Sequence, residues 1–302
     1  MISQSRPLIP SGWEDEAADL IRLEAEDSSA VAWIDTAHGA NCFRYTVAEG
    51  GVWHQLFLSG PPAVLRERPT RYGCPVLFPF PGFVKGAQYQ WGGKTYSLPR
   101  NAPNGGSDHV HGFAHTHRWR VERQSAAQVV LGFDTRTDLT SAERQGYPFE
   151  ILVRYAITLT YAGLDLLLEA TNVGTAIAPA GLGFHPYFDA RALAERREHV
   201  QCVQIGSPAR TLPPEGETVT WALSAPAGAR LRGEREVSLV AHAGMRDLVV
   251  FAPAEQPSIA LEPLTCAHSA ASYPGDHPNA LPGLAPGATF RLAITIKGGK
   301  RI

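Results

Sequence analysis

Glycine and proline break this chain into short pieces. The 302 residues include 29 glycines and 24 prolines, spread along the whole length. Inside a helix a glycine costs about 1 kcal/mol and a proline about 3 kcal/mol relative to alanine, so long helices are excluded over most of the sequence. Between these breaks lie short β-branched or aromatic runs at Ala30–Asp35, Val52–Leu58, Val76–Phe80, Trp119–Glu122 and Val129–Phe133, which read as strands. The strongest hairpin signal is Glu150–Thr171. Its arms, EILVRYAITLTY and LDLLLEAT, flank an Ala-Gly turn, and polar residues alternate along the first arm. Later strand candidates are Val237–Ala241, Leu248–Phe251, Ile259–Leu261 and Phe290–Ile296. Helix signals are confined to Glu14–Leu20 and Ala190–Glu198. The Pro/Gly-rich stretches Pro208–Gly216 and Ala225–Gly233 read as surface loops or hairpin tips. With no heptads, no internal repeat and no long linker, the pattern predicts one all-β domain over residues 1–302, a sandwich or barrel of antiparallel strands.

Composition narrows the function classes. A hydrophobic content of 44% is ample for a large core, and the net charge is −2. Near-balanced charge without a basic run argues against a nucleic-acid partner. The longest apolar runs, such as Leu164–Leu168, are far too short to span a bilayer, so no membrane partner is expected. The N-terminus turns acidic at Glu14–Glu16 and predicts no signal peptide. Four scattered cysteines (Cys42, Cys74, Cys202 and Cys266) form no CxxC pair and suggest a reduced cytoplasmic protein. No feature marks an oligomer interface.

Three segments carry residues suited to chemistry. Asn104–Trp119 reads NGGSDHVHGFAHTHRW and holds four of the eleven histidines. In an extended chain His109 and His111 share a face, as do His115 and His117. Histidines at such spacing bind metal or hydrogen-bond polar ligands. No HExxH or third ligand stands at a telling spacing, so no metal is expected. Gly181–Phe188, GLGFHPYF, sets His185 before a proline and among aromatic rings. That combination suits either contact with a sugar or a buried structural imidazole. In Ser258–Thr265, SIALEPLT, Glu262 ends an apolar run. A carboxylate there is either solvated at a sheet edge or buried with a raised pKa, which suits a general base.

Taken in order, GCPVLFPFPG (Gly73–Gly82), NGGSDHVHGFAHTHRW, GFHPYF and ALEP resemble the aldose 1-epimerase family, the galactose-mutarotase-like proteins. The resemblance runs from about Gly73 to the C-terminus. It implies a β-supersandwich of antiparallel strands with a concave sugar-binding face. The implied activity is cofactor-free interconversion of the α and β anomers of a free hexose or related aldose. By the same resemblance Glu262 is the general base, His185 the general acid, and His111 a substrate-binding residue near the reacting oxygens.

The sequence departs from that family's pattern in three places. Phe83 occupies the position of an arginine that commonly follows the LFP segment, and Lys85 or Arg71 could take over its grip on the substrate. His115 stands where another basic residue often follows HGF. Asp189 is the candidate for the aspartate that holds the sugar in some members. These departures leave two alternatives open: a hexose-6-phosphate 1-epimerase, and a non-catalytic carbohydrate-binding protein on the same fold.

Overall fold

The computed structural model describes residues 9–204, 208–224, 227–275 and 277–300. The expected hairpin forms the spine of the molecule, as Ile151–Thr160 paired with Gly163–Asn172, ten residues each. Inward and outward positions alternate along both arms. Ile151, Val153, Tyr155, Ile157 and Leu159 are buried on one face, with Leu166, Leu168 and Ala170 beside them. Burying each such large aliphatic side chain contributes about 1.5–3 kcal/mol. The hairpin supplies the third and fourth strands of a nine-stranded antiparallel sheet, continued on one side by Gln128–Asp134 and on the other by Thr289–Lys300 and Arg235–Ala243.

A six-stranded antiparallel sheet supplies the second layer. Its central strand, Ser258–Leu264, is buried along its whole length. Alternation therefore hides two faces at once. Ile259 and Leu261 join the main core, together with Leu248, Val250 and Phe184. Tyr155 of the large sheet meets Phe184 with ring centroids 5.4 Å apart, so the two sheets share one interior. Ser258, Ala260, Glu262 and Leu264 look the other way, where Ala260 packs with Leu58 and Tyr187. A smaller four-stranded sheet runs from Leu20–Glu24 through Val52–Gln55.

Several expectations change in detail. The Glu14–Leu20 signal becomes a 3-10 turn at Glu14–Asp19. Ala190–Glu198 yields two isolated 3-10 turns, Ala190–Ala192 and Arg197–His199, rather than one helix. Two short α-helices went unforeseen. Pro62–Glu67 starts at a proline, and Ser141–Gly146 is closed by a capping box in which Thr140 and Glu143 satisfy each other's backbone amides. Of the supposed loop Ala225–Gly233, Ala225 and Pro226 lie outside the described residues. Gly228–Arg232 is a strand paired on both sides, with Ala229 and Leu231 in the core. Glycine at its start masked a two-residue alternation.

Glycine is required where the segment 78–82 meets the segment 111–114. Gly112 adopts φ +74°, and a Cβ there would lie 2.1 Å from the Phe78 carbonyl oxygen. Gly112→Ala should therefore combine left-handed strain with a steric clash and cost roughly 3 kcal/mol or more. Urea denaturation checks this, and a loss below about 1 kcal/mol would show that the two segments can part without harm.

Candidate functional site

The central strand Ser258–Leu264 has an interrupted neighbour. Gly183 pairs with Leu264, Tyr187 with Ala260 and Asp189 with Ser258. Between the two paired pieces stand His185 and Pro186, where proline has no N–H to give the ladder. The chain stays close nonetheless: the Leu261 amide donates to the Pro186 carbonyl at 3.2 Å. The register is the same on both sides of the break, so His185 lies directly across from Glu262 on one face. Their side chains meet, with His185 Nε2 3.3 Å from Glu262 Oε1. Each residue is only 3% exposed.

Burial sets the protonation of this pair. It pushes the Glu262 carboxyl up to about 8, against which the Arg71 guanidinium pulls it down. His185 is held well below the usual imidazole value, first by burial and then by the charge of Arg71. Low dielectric disfavours the charged form of both groups, so near neutrality the pair carries one proton between them. Tyr187 stacks on the His185 ring, centroids 4.5 Å apart, and its hydroxyl lies 3.4 Å from His185 Nε2.

His111 approaches from a different part of the chain. It follows the strand His109–Val110, which pairs with Phe83–Val84, and takes φ +62°. Its amide donates to the Gly82 carbonyl at 2.8 Å, and the Gly82 amide donates to His111 Nδ1 at 3.1 Å. Burial keeps His111 well below the usual imidazole value, so the ring is neutral. A neutral ring that accepts at Nδ1 must carry its proton on Nε2. The His111 and His185 rings stand 5.2 Å apart, nearly perpendicular.

One ligand-type atom from each of His111, His185 and Glu262 falls within 4.8 Å of the others. Two imidazoles and a carboxylate can hold a divalent cation in principle. The Gly82 amide argues against it, because it occupies one His111 lone pair and leaves a proton on the other nitrogen. The arrangement is instead a fixed hydrogen-bond donor facing a shared-proton pair.

The remaining expected residues divide. Arg71 is brought in: its charge bears on Glu262, His185 and Tyr187, while it stacks over Phe251 at 5.1 Å and meets Glu255 at 3.3 Å. Phe83 is 42% exposed, and its ring faces His111 and His268 at 6.4 and 6.1 Å. Asp189 is a correction. It lies four positions along the strand register from Glu262, about 13 Å away, where it caps a 3-10 turn and pairs with Arg191 at 2.8 Å. His115 is buried and lines a separate cavity of about 210 Å³ with Asp35, His38 and Asn41, while its charge would still bear on His111 and His185 from the side. Lys85 points to the surface beyond Phe83 and bonds through its amide to Ser272.

The histidine-rich segment thus delivers one ring out of four to this site. His109 donates through Nδ1 to the Pro99 carbonyl at 2.6 Å, and His117 pairs with Glu143 at 3.0 Å. The left-handed turn at His111 breaks the extended geometry on which a shared face depended. Two further residues belong to the site. Tyr187 follows His185 by two positions, and alternation in a strand could have placed it on the same face. His268 is largely buried, and its charge would act on both His111 and His185, but nothing local in the sequence marks it.

Residues 20–225, more than half of the chain, match the aldose 1-epimerase family profile, including His111 and His185 but stopping short of Glu262. The chain belongs to the aldose 1-epimerase family. Over 122 residues it is 29% identical to the uncharacterised protein YihR of Escherichia coli, a stretch that is 40% of this chain and 37% of that protein. The match to this curated relative thus spans well under half of its length. Among solved structures, a galactose mutarotase-like protein of Clostridium acetobutylicum superposes with a TM-score of 0.77 at 18% identity, covering 93% of this chain and 95% of the other. A galactose mutarotase-like protein of Lactobacillus casei gives a TM-score of 0.72 at 22% identity, covering 93% and 100%. The fold is that of the galactose mutarotase-like β-sandwiches. No helix among the described residues is long and apolar enough to cross a membrane, and all four cysteines are free and buried.

The buried titratable groups make stability pH-dependent in two directions. His109, His111, His115 and His185 all sit below the usual imidazole value through burial. Below about pH 6.5 the unfolded chain takes up protons that these folded rings refuse, so their contribution is present above that pH and lost as pH falls. Glu262 works oppositely. The folded protein keeps its proton up to about pH 8, whereas the unfolded chain gives it up at the ordinary carboxyl value. Its contribution is present at low pH and lost as pH rises towards 8. The melting temperature should climb from acid pH to near pH 6.5 and sag towards pH 8. Glu262→Gln should remove the sag, with a gain over wild type that grows from about pH 4.5, is complete by about pH 8 and is absent in acid. Parallel melting curves for the two proteins across pH would show that Glu262 is not buried as described.

Proposed function

We propose that this chain is an aldose 1-epimerase that opens and recloses the ring of a free hexose or related aldose, without a cofactor. The observation that carries the reading is the His185–Glu262 contact at 3.3 Å on a buried face. Mutarotation takes a proton from the anomeric hydroxyl and gives one to the ring oxygen, and both oxygens are bonded to the same carbon. Two groups this close can serve both oxygens at once.

In the proposed steps Glu262 is the base and His185 the acid. The single proton of the pair crosses from Glu262 to His185 over their contact as the sugar docks; Arg71 stabilises the carboxylate this leaves and at the same time opposes the imidazolium, which keeps the transfer readily reversible. Glu262 then accepts the proton of the anomeric hydroxyl while His185 Nε2 donates to the ring oxygen. The bond from the anomeric carbon to the ring oxygen breaks as the carbonyl forms. Rotation about the bond to the second carbon presents the other carbonyl face. On closure the ring hydroxyl returns its proton to His185, and Glu262 returns its own to the new anomeric hydroxyl. The net change in protons is zero. His111 Nε2–H is the fixed donor to whichever of these oxygens carries the developing negative charge.

Glu262→Gln tests this directly. Glutamine keeps the size and one acceptor oxygen but can take no proton. The anomerisation rate of fresh α-aldoses, followed by polarimetry, should fall roughly 10²–10⁴-fold while sugar binding survives. An unchanged rate would remove Glu262 from the chemistry. Sugar binding by the wild type with no acceleration of anomerisation would favour a binding protein instead.

Substrate charge is a separate prediction. Phe83 presents an aromatic face where phosphate recognition calls for a guanidinium. Catalytic efficiency should be higher on glucose than on glucose 6-phosphate. The reverse ranking would mean that Arg71 or another cation reads the phosphate.

A further inference from the structure

Phe83 marks the edge of the site, and the protein continues beyond it as a built surface. The segment Phe83–Lys85 is stitched to the segment Ser269–Ser272 by three hydrogen bonds. The Phe83 amide donates to Ser269 Oγ at 3.0 Å, the Lys85 amide to Ser272 Oγ at 3.2 Å, and the Ser272 hydroxyl to the Phe83 carbonyl at 2.9 Å. At one end of this double segment Phe83 faces His111 and His268. At its other end Lys85 and Ser272 wall a cavity of about 340 Å³, completed by Gln88, Gln90, Thr95 and Tyr273. That volume is within the range of small-molecule sites, about 300–1,000 Å³.

The lining has a definite chemistry. Gln88 and Gln90 point outward from the hairpin Gln88–Trp91 and Lys94–Ser97, where Thr95 is the cross-strand partner of Gln90. Amides and hydroxyls both donate and accept, which suits sugar hydroxyls. Tyr273 is 39% exposed, and its ring is backed by His277 with centroids 4.5 Å apart and planes 13° from parallel. It offers a pre-set aromatic face for the apolar side of a pyranose. Lys85 is the one cation among the described lining residues, too little charge for a phosphate dianion.

We propose that this cavity is a second saccharide subsite. It would take the non-reducing ring of a reducing disaccharide whose other ring presents its anomeric centre to the Glu262–His185 pair. The inference rests on the epimerase reading for its substrate class, but the subsite stands on its own residues.

The test compares wild type with Tyr273→Ala and with the double variant Gln88→Ala/Gln90→Ala, after circular dichroism has shown all three to be folded. Polarimetry follows fresh glucose, maltose, cellobiose and lactose. The variants should keep the glucose rate, while kcat/KM for at least one disaccharide falls tenfold or more through KM. Equal kinetics of all three proteins on every disaccharide, or glucose turnover with no disaccharide turnover, would overturn the proposal. Should glucose itself not be accelerated, the epimerase reading fails while the subsite is still decided. Saturation-transfer NMR with the methyl glycosides of the same disaccharides, which cannot anomerise, should then show contact to the non-reducing ring in wild type and its loss in the variants. No contact in wild type would sink the subsite.

Discussion

A carboxyl and an imidazole aligned across two strands, on a face hidden from water, are the arrangement on which the rest of this site depends. Either group alone would be costly to bury, because each prefers its ionised or solvated form in water. Held 3.3 Å apart, they hold one proton between them and neither has to carry an isolated charge. The backbone makes this possible. Proline at position 186 breaks the ladder without shifting the register, so the strand can hold His185 opposite Glu262.

Around that pair each neighbour has one physical task. Arg71 adds a positive charge that favours the carboxylate and opposes the imidazolium. Its partner Glu255 is half exposed, so the guanidinium is only partly neutralised towards the site. Tyr187 fixes the His185 ring from one side by stacking. His111 enters with its tautomer chosen by the Gly82 amide, which makes it a donor at Nε2. Both glycines serve this approach. Gly112 lets the chain touch Phe78, and at Gly82 a Cβ would stand 2.5 Å from the Ser269 amide nitrogen. The donor is therefore set by main-chain geometry rather than by a flexible side chain, the kind of preorganisation that charge development rewards.

Much of this was legible along the chain. Alternation along the first arm, Ile151–Thr160, and the Ala-Gly turn that follows it specified the long hairpin, since a two-residue period has only one way to bury its apolar side. Histidine before proline among aromatic rings, and glutamate at the end of an apolar run, singled out His185 and Glu262. The phrase HGF singled out His111. The two histidine pairs expected to share a face do not act together. His109, His115 and His117 are spent on a carbonyl, a separate cavity and an ion pair. Asp189 likewise lies on the same strand pair yet is turned to capping a 3-10 turn.

The sequence by itself determined the kind of structure and the kind of chemistry. Both are local properties: periodicity, breaks in the chain, and residue types able to move protons. Only the tertiary structure decided which of those residues meet. His111, His185 and Glu262 come from three distant segments, and their convergence depends on sheet register and on a left-handed turn at His111. It also decided the proton states, because burial moves Glu262 up and the histidines down. Burial is a sum over the whole fold, and no single stretch of sequence contains it.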